Sequence, residues 1–152
     1  MIQSVQELPL TLTNNSAAIT FTNDDVRSRS ANCQCGGWLQ HQEGSPLYQI
    51  LDGGYYEVSL NSNISSATAG SVALGLYQDG ILVPGTTAIT EITTAGIPEN
   101  ISFSKVIKVC GRANATLTIA SVPSIPNLST NEGIDTETPI IQSANLIIKR
   151  LS

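Results

Sequence analysis

Charge is scarce in this chain. Asp, Glu, Lys and Arg make up only 12% of its 152 residues, where a soluble domain usually carries about 25%. There is one histidine, one methionine and one tryptophan, and aromatic residues amount to 5%. A single His and few carboxylates leave little for acid–base or nucleophilic chemistry, so an enzyme is not expected. Seven Lys and Arg against twelve Asp and Glu give a net charge of −5. The basic patch that phosphate contacts require is missing, which excludes nucleic acid as a partner. No apolar run approaches about 18 residues, so no membrane-crossing helix is expected. The first fifteen residues have neither a basic nor an apolar leader region, and the expectation is a chain either made and used without the secretory route or exported as part of something larger.

What the chain has in quantity is Ser, Thr and Asn, together more than a quarter of all residues. Hydrophobic residues reach 41%, enough for a core, and Ile outnumbers Leu. Strands favour Ile, Val, Thr and Tyr, and turns favour Asn, Gly, Asp and Ser. The apolar pattern has a period of two. Leu8, Leu10 and Leu12 alternate with Pro9, Thr11 and Thr13, then Asn14-Asn15-Ser16 reads as a turn, then Ile19 and Phe21 alternate with Thr20 and Thr22. These two runs predict an N-terminal hairpin. Tyr56, Val58 and Leu60, then Val72, Leu74 and Leu76, then Leu117 and Ile119, then Ala144, Leu146 and Ile148 repeat the alternation. Ile101, Phe103, Ile107 and Val109 form one more face, interrupted by Lys105. Asp52-Gly53-Gly54, Asp79-Gly80, Pro84-Gly85 and Cys110-Gly111 punctuate the runs. No segment has a 3.6-residue period. The pattern predicts an all-β sandwich or barrel, with Tyr56, Val58, Leu60, Leu74, Leu76, Phe103, Ile107, Leu117, Ile119, Leu146 and Ile148 inward. Ser121 to Thr138, with two prolines and three acids, reads as a long connection, either solvated or a contact loop.

The strands resemble those of the tumour-necrosis-factor-like and complement-type globular head family. Gly54-Tyr55-Tyr56-Glu57-Val58-Ser59-Leu60 is similar to its Gly-x-Tyr-x-Val strand. Ser71 to Gly80 followed by Val83-Pro84-Gly85-Thr86 resembles a hairpin of its bacterial and phage members. Ile101 to Val109, Ala115 to Ile119 and Ala144 to Leu151 resemble the strands that close the fold. The resemblance covers Gly36 to Ser152 and implies a TNF-like jelly roll that forms homotrimers, with Tyr56 and then Tyr77 as candidates for the trimer interface. The stretch from Leu8 to Val26, followed by Cys33-Gln34-Cys35-Gly36-Gly37-Trp38, resembles small jelly-roll decoration or head-fibre proteins of tailed bacteriophages. That implies a structural virion protein on the capsid surface, assembled in the host cytoplasm, with the major capsid protein as partner. The other function it leaves open is an adhesion head that binds a receptor or a host-surface glycan. Residues 1–30 are then a hairpin that docks to the capsid or completes the head, and 31–152 are the head.

Cys33, Cys35, Cys110 and His41 are the candidates for a metal site. Cys-x-Cys is tighter than a zinc pair usually is, and an odd number of thiols leaves one over from any intrachain disulfide. Free thiols, a disulfide of Cys110 with Cys33 or Cys35, and a metal site all stay open, and no cofactor is called for. His41 falls in a predicted strand, Trp38 to Gln42, which favours a structural role. Asp24-Asp25 reads as a solvated turn, and no paired carboxylates suggest a glycosidase. Trp38 and the tyrosines are core, interface or a sugar-stacking platform. Five Asn-x-Ser/Thr triplets, at Asn14, Asn63, Asn100, Asn114 and Asn127, are what so Asn- and Ser-rich a chain produces by chance.

Overall fold

The computed structural model describes residues 1–12, 17–27, 37–110, 114–126 and 132–151. Among the described residues fourteen strands follow one another: β1 (Ile2–Gln6), β2 (Leu10–Thr11), β3 (Asn23–Arg27), β4 (Leu39–His41), β5 (Tyr48–Ile50), β6 (Gly54–Ser65), β7 (Gly70–Gln78), β8 (Ile81–Leu82), β9 (Ala88–Ile92), β10 (Glu99–Val109), β11 (Ala115–Ser121), β12 (Ser124–Pro126), β13 (Gly133–Asp135) and β14 (Ile140–Arg150). Two six-stranded antiparallel sheets form. Sheet A runs β10-β6-β14-β1-β3, with β2 also on β14, and sheet B runs β4-β5-β11-β7-β8, with β9 also on β7. The inner faces share one core, to which β6 and β14 give Tyr56, Val58, Leu60, Leu146 and Ile148, and β7 and β11 give Leu74, Leu76, Leu117 and Ile119. The period of two is what puts them there. Of the residues expected inward, all are buried except Phe103, which is half-buried against the same core. Its strand β10 lies at the end of sheet A, where coverage is thinner.

Two turns show why particular residues are needed. Asp79-Gly80 joins β7 to β8 with positive φ at both positions, 52° and 79°. This is the backbone that best matches the twist of a two-residue hairpin. Asp79 is held there because its Oδ1 accepts from the Thr116 backbone N–H at 2.8 Å. After Pro84-Gly85, Thr86 is fully buried: its hydroxyl donates to the Val83 carbonyl at 2.8 Å and accepts from the Leu76 N–H at 3.1 Å. A buried hydroxyl costs free energy unless paired, and this one is paired twice.

The beginning of the chain departs from expectation. Leu8 to Thr22 is not a hairpin. Leu10–Thr11 pairs with Ile140 and Ile141 of β14, whereas Ala18 bridges to Ala120 of sheet B, and the Ile19 N–H donates to the Ile119 carbonyl at 2.8 Å. Leu12, Ile19 and Phe21 are all buried, so a hairpin and a crossing between sheets satisfy the same alternation. The predicted turn at Asn14-Asn15-Ser16 lies outside the described residues. The strand before this run, β1, lies between β14 and β3, with Ile2 opposite Ile148 and Gln6 opposite Ala144.

The stretch from Ser121 to Thr138 also differs from a plain loop. Strands β12 and β13 pair with Ile125 opposite Ile134. Val122 and Ile125 pack with Ala73 and Leu82 into a second small core on the outer side of sheet B. Gly75 permits this approach, since a Cβ there would come within 2.5 Å of Leu82 Cδ1 and 3.0 Å of Val122 Cγ2.

Removing every residue before Ala31 takes away β1, β2 and β3 and strips β14 of its partners on one side. The truncated chain is expected to aggregate or unfold at temperatures where the full chain is folded. Circular dichroism and size exclusion check this, and a truncated chain with native strand content would overturn it.

Candidate functional site

Two places gather chemistry-bearing side chains. The first is buried. Ser4 on β1 and Asp24 on β3 are register partners, and the Ser4 hydroxyl donates to Asp24 Oδ1. Asp24 in turn holds His41 of β4, whose Nδ1 lies 2.8 Å from Oδ1 and 3.0 Å from Oδ2. His41 Nε2 faces the Ser45 carbonyl at 3.0 Å, and its ring stacks on Tyr48 with centroids 3.9 Å apart and planes 6° from parallel. The His41 and Asp24 side chains are 0% and 1% exposed.

Ser, Asp and His in one chain of contacts invite comparison with a hydrolase triad, and the connectivity refutes it. A nucleophilic serine must be bonded to the imidazole that takes its proton. Here the carboxylate sits between the two, and the second ring nitrogen is turned to a backbone carbonyl. The arrangement instead joins sheet A, through β1 and β3, to sheet B, through β4. Asp24 is therefore a strand residue with a buried carboxylate, not part of a solvated turn. The polarity of the neighbouring positions hid it, since Asn23-Asp24-Asp25 has no apolar period to mark a strand.

Of the other candidates for metal, Cys110 does not join His41 in a metal-binding group. Both of its ring nitrogens are engaged. Cys110 is exposed just beyond β10, and Cys33 and Cys35 lie outside the described residues. Among the described residues no group of three His, Cys, Asp or Glu is placed to hold a metal ion, and no helix is long and apolar enough to cross a membrane.

The second place is the outer face of sheet A. Register fixes its rows across β10, β6 and β14. Lys108 lies beside Tyr55, then Val106, Glu57 and Lys149 align, then Ser104, Ser59 and Ile147, then Ser102, Asn61 and Asn145, then Asn100, Asn63 and Ser143. The last three rows carry no charge. Their polar groups pair sideways: Ser59 and Ser104 hydroxyls lie 2.9 Å apart, Asn100 Nδ2 donates to Asn61 and Asn63, and Asn63 Nδ2 donates to Ser143 Oγ at 3.1 Å. Side chains that satisfy one another give up little when water is removed from them. The face also exposes Tyr55 and Val106, 47% and 52% accessible. The Lys108 ammonium stands 5.9 Å from the Tyr55 ring centroid.

Tyr56 does not reach this face. It points into the core with no exposed surface, packs on Trp38 at 5.3 Å, and donates its hydroxyl to the Asp52 carbonyl at 2.7 Å. In the single chain it exposes no surface, whereas Tyr55 is 47% exposed. Two successive tyrosines point to opposite faces of a strand, and alternation alone does not say which face a partner uses. Tyr77 is half-buried beside the second small core and donates to the Ser121 carbonyl at 3.3 Å. Burial pushes both hydroxyls above the ordinary tyrosine value; at Tyr56 the Arg150 guanidinium pulls back down and Asp52 pushes up. Tyr48 is buried against Phe21, with ring centroids 5.9 Å apart. With Tyr48 and Tyr56 in the core and Trp38 half-buried against it, no sugar-stacking platform forms from these three.

No protein-family model matches the chain, and no curated protein does. Solved structures do. The globular domain of the zebrafish complement 1qA protein superposes with a TM-score of 0.58 at 9% identity, covering 96% of this chain and 94% of that one. Eiger TNF from S. frugiperda gives 0.59 at 7% identity, covering 99% and 92%. Murine APRIL gives 0.53 at 12% identity, covering 97% and 98%. The protein is an all-β jelly roll of the TNF and complement globular-head type.

Two predictions follow from the buried groups. Replacing His41 by Ala removes one hydrogen-bond partner of the buried Asp24 carboxylate and the ring stacked on Tyr48, and is expected to cost about 2 kcal/mol in denaturant unfolding. A loss within 0.5 kcal/mol, the scale of an ordinary surface change, would refute a structural role. For Tyr56 the raised hydroxyl sets the sign. The unfolded chain releases this proton near pH 10 and the folded chain higher, so the stabilisation is complete below about pH 10 and is lost as pH rises through the folded value. Tyr56→Phe is expected to flatten the fall in stability on the alkaline side.

Proposed function

We propose that this chain is a non-enzymatic, trimer-forming jelly-roll head that serves as a structural part of a tailed-phage virion, decorating or projecting from the capsid. The observation that carries the assembly is the outer face of sheet A. It combines three uncharged rows, paired sideways at Ser59, Ser104, Asn61, Asn63, Asn100 and Ser143, with exposed Tyr55 and Val106, a surface unlike the charged exterior of most monomers. The non-enzymatic reading is supported by the state of the one histidine, which is buried with both ring nitrogens engaged. The virion reading is supported by the strand patterns from Leu8 to Val26 and from Ser71 to Thr86 and by their resemblance to phage decoration and head-fibre proteins. The glycan-binding alternative is left with Tyr55 as its only well-exposed aromatic among the described residues.

Light scattering at micromolar concentration is expected to report three copies. Ser104→Arg places a charge in the middle of the uncharged rows at an exposed position. It is expected to leave circular dichroism unchanged and shift the mass toward one copy; a wild-type monomer would refute the trimer. Co-sedimentation with capsids that lack the protein tests the virion role. Binding to a glycan array without any binding to capsids would favour the adhesion head.

A further inference from the structure

Sheet A ends in an open strand. β10 is 11 residues long and pairs with β6 from Glu99 opposite Ile64 to Val109 opposite Gly54, with no shift of register. Its other side carries no strand among the described residues, and no proline or glycine interrupts it. A long, straight, unpaired edge is a template for another chain, because its free N–H and C=O groups point outward in a row. The other terminal strands offer much less. β3 and β9 have 5 residues each, β4 has 3 and β8 has 2, and the pairing of β3 with β1 is broken by a register shift at Gln3-Ser4. The hazard is concentrated in β10.

The sequence of β10 sharpens that hazard and then answers it. From Ile101 to Ile107 the strand is Ile-Ser-Phe-Ser-Lys-Val-Ile, and Lys105 is its one charge. Without that charge it would be a neutral, proline-free run of strand formers, the kind of segment that stacks edge to edge. Lys105 also stands on the side where a charge is least expected. The inward positions of β10 are Ile101, Phe103, Lys105, Ile107 and Val109, and all but Phe103 and Lys105 are buried. Lys105 lies opposite Val58, which has no exposed surface.

The side chain escapes sideways. A Cβ built on Gly85 would stand 3.3 Å from Lys105 Nζ, and Gly85 is exposed in the turn between β8 and β9. The half-buried stem therefore crosses from sheet A toward sheet B and brings its ammonium out at the open flank of the sandwich, as long amphipathic side chains do. Among the described residues that ammonium has neither an ion-pair nor a hydrogen-bond partner, so water at the flank solvates it. A strand added to β10 would extend the inner face of sheet A over this exit. The ammonium would lose its water and gain no counter-ion, a cost that the new main-chain bonds must first overcome.

We propose that Lys105 blocks β10 against strand addition, and that a second copy of this chain is what it keeps out. Two such edges meeting antiparallel would make a twofold contact, the same strand on both sides. That contact uses the backbone edge of sheet A and not the neutral rows of its outer face. The block therefore stands whether the wild-type protein is one copy or three, and the wild-type mass serves only as the reference.

Three variants test it. Lys105→Val completes the apolar alternation, and Lys105→Met keeps the length of the stem without its charge. Both are expected to stay folded by circular dichroism. In sedimentation velocity both are expected to associate beyond the wild-type mass, with an association constant at least about tenfold above that of the wild type. Lys105→Arg keeps a charge on a long stem and is expected to sediment as the wild type does. Hydrogen exchange locates the contact: strand addition slows the β10 amides that β6 leaves free, whereas clumping through side chains elsewhere does not. The proposal is overturned if the two uncharged variants fold and keep the wild-type mass, if they associate without slower exchange in β10, or if Lys105→Arg associates as they do. Loss of fold in both uncharged variants also overturns it, because Lys105 would then be required by the protomer itself.

Discussion

The pairing of the two ends of the chain holds this structure together. β14 is the last strand and sits in the middle of sheet A. On one side it bonds β6 from Ile140 to Arg150, and on the other it bonds β1 and β2. Without it the sheet splits into β10-β6 and β1-β3, and Leu146 and Ile148 leave the core. These contacts span nearly the whole sequence, so much loop-closure entropy is lost before they form. Folding should consequently be slow for a chain of this size, and little of sheet A can be stable until β14 arrives.

That constraint explains the composition. A strand in the centre of a sheet cannot choose its neighbours freely, because every outward position is flanked on both sides. In β6, Ser59, Asn61 and Asn63 each have a partner on β10 and another on β14. Like charges side by side in such rows would repel, and long side chains would lose rotamer freedom. Short neutral side chains that hydrogen-bond across the rows avoid both costs. Charge is displaced to the strand ends, where Lys108, Lys149 and Arg150 lie at one and Glu91, Glu99 and Glu137 at the other. The low charge and the abundance of Ser and Asn follow from the same sheet.

How much of this could be read from the sequence depended on whether burial left a periodic trace. β6, β10 and β14 bury one face each along most of their length, and β7 and β11, partly covered on both faces, keep the large apolar side chains on the inner one, so alternation marks all five plainly. β3 and β13 have no such face. Asn23-Asp24-Asp25 pairs with β1, and its Asp24 carboxylate is buried against the His41 ring and the Ser4 hydroxyl, which hydrophobic periodicity does not register. Ile19 and Phe21 show the opposite limit: their alternation is real, but it says only that one side is covered. They are covered by crossing to sheet B rather than by turning back on Leu10 and Leu12. His41 lies in the strand its sequence predicts, yet its partner Asp24 is 17 residues away, and Ser4, which bonds Asp24 in turn, is 37 away, so nothing local connects them.

The same limit governs function. On a jelly roll the core is specified by apolar spacing, while partners are chosen by outward residues that the spacing leaves free. Tyr55 and Tyr56 make the point in two adjacent positions. One is enclosed, bonded to Asp52 and indispensable to the fold; the other is exposed beside Lys108 and dispensable to it. Sequence similarity to a family strand captures both as a unit and cannot divide the roles. The division comes from the pleat, which assigns Tyr56 to the protomer and Tyr55 to whatever it meets. The face of sheet A built from Tyr55, Val106 and neutral rows is therefore free of the core's demands, and the trimer proposed for it asks of those residues only what a neutral contact, little affected by salt, requires.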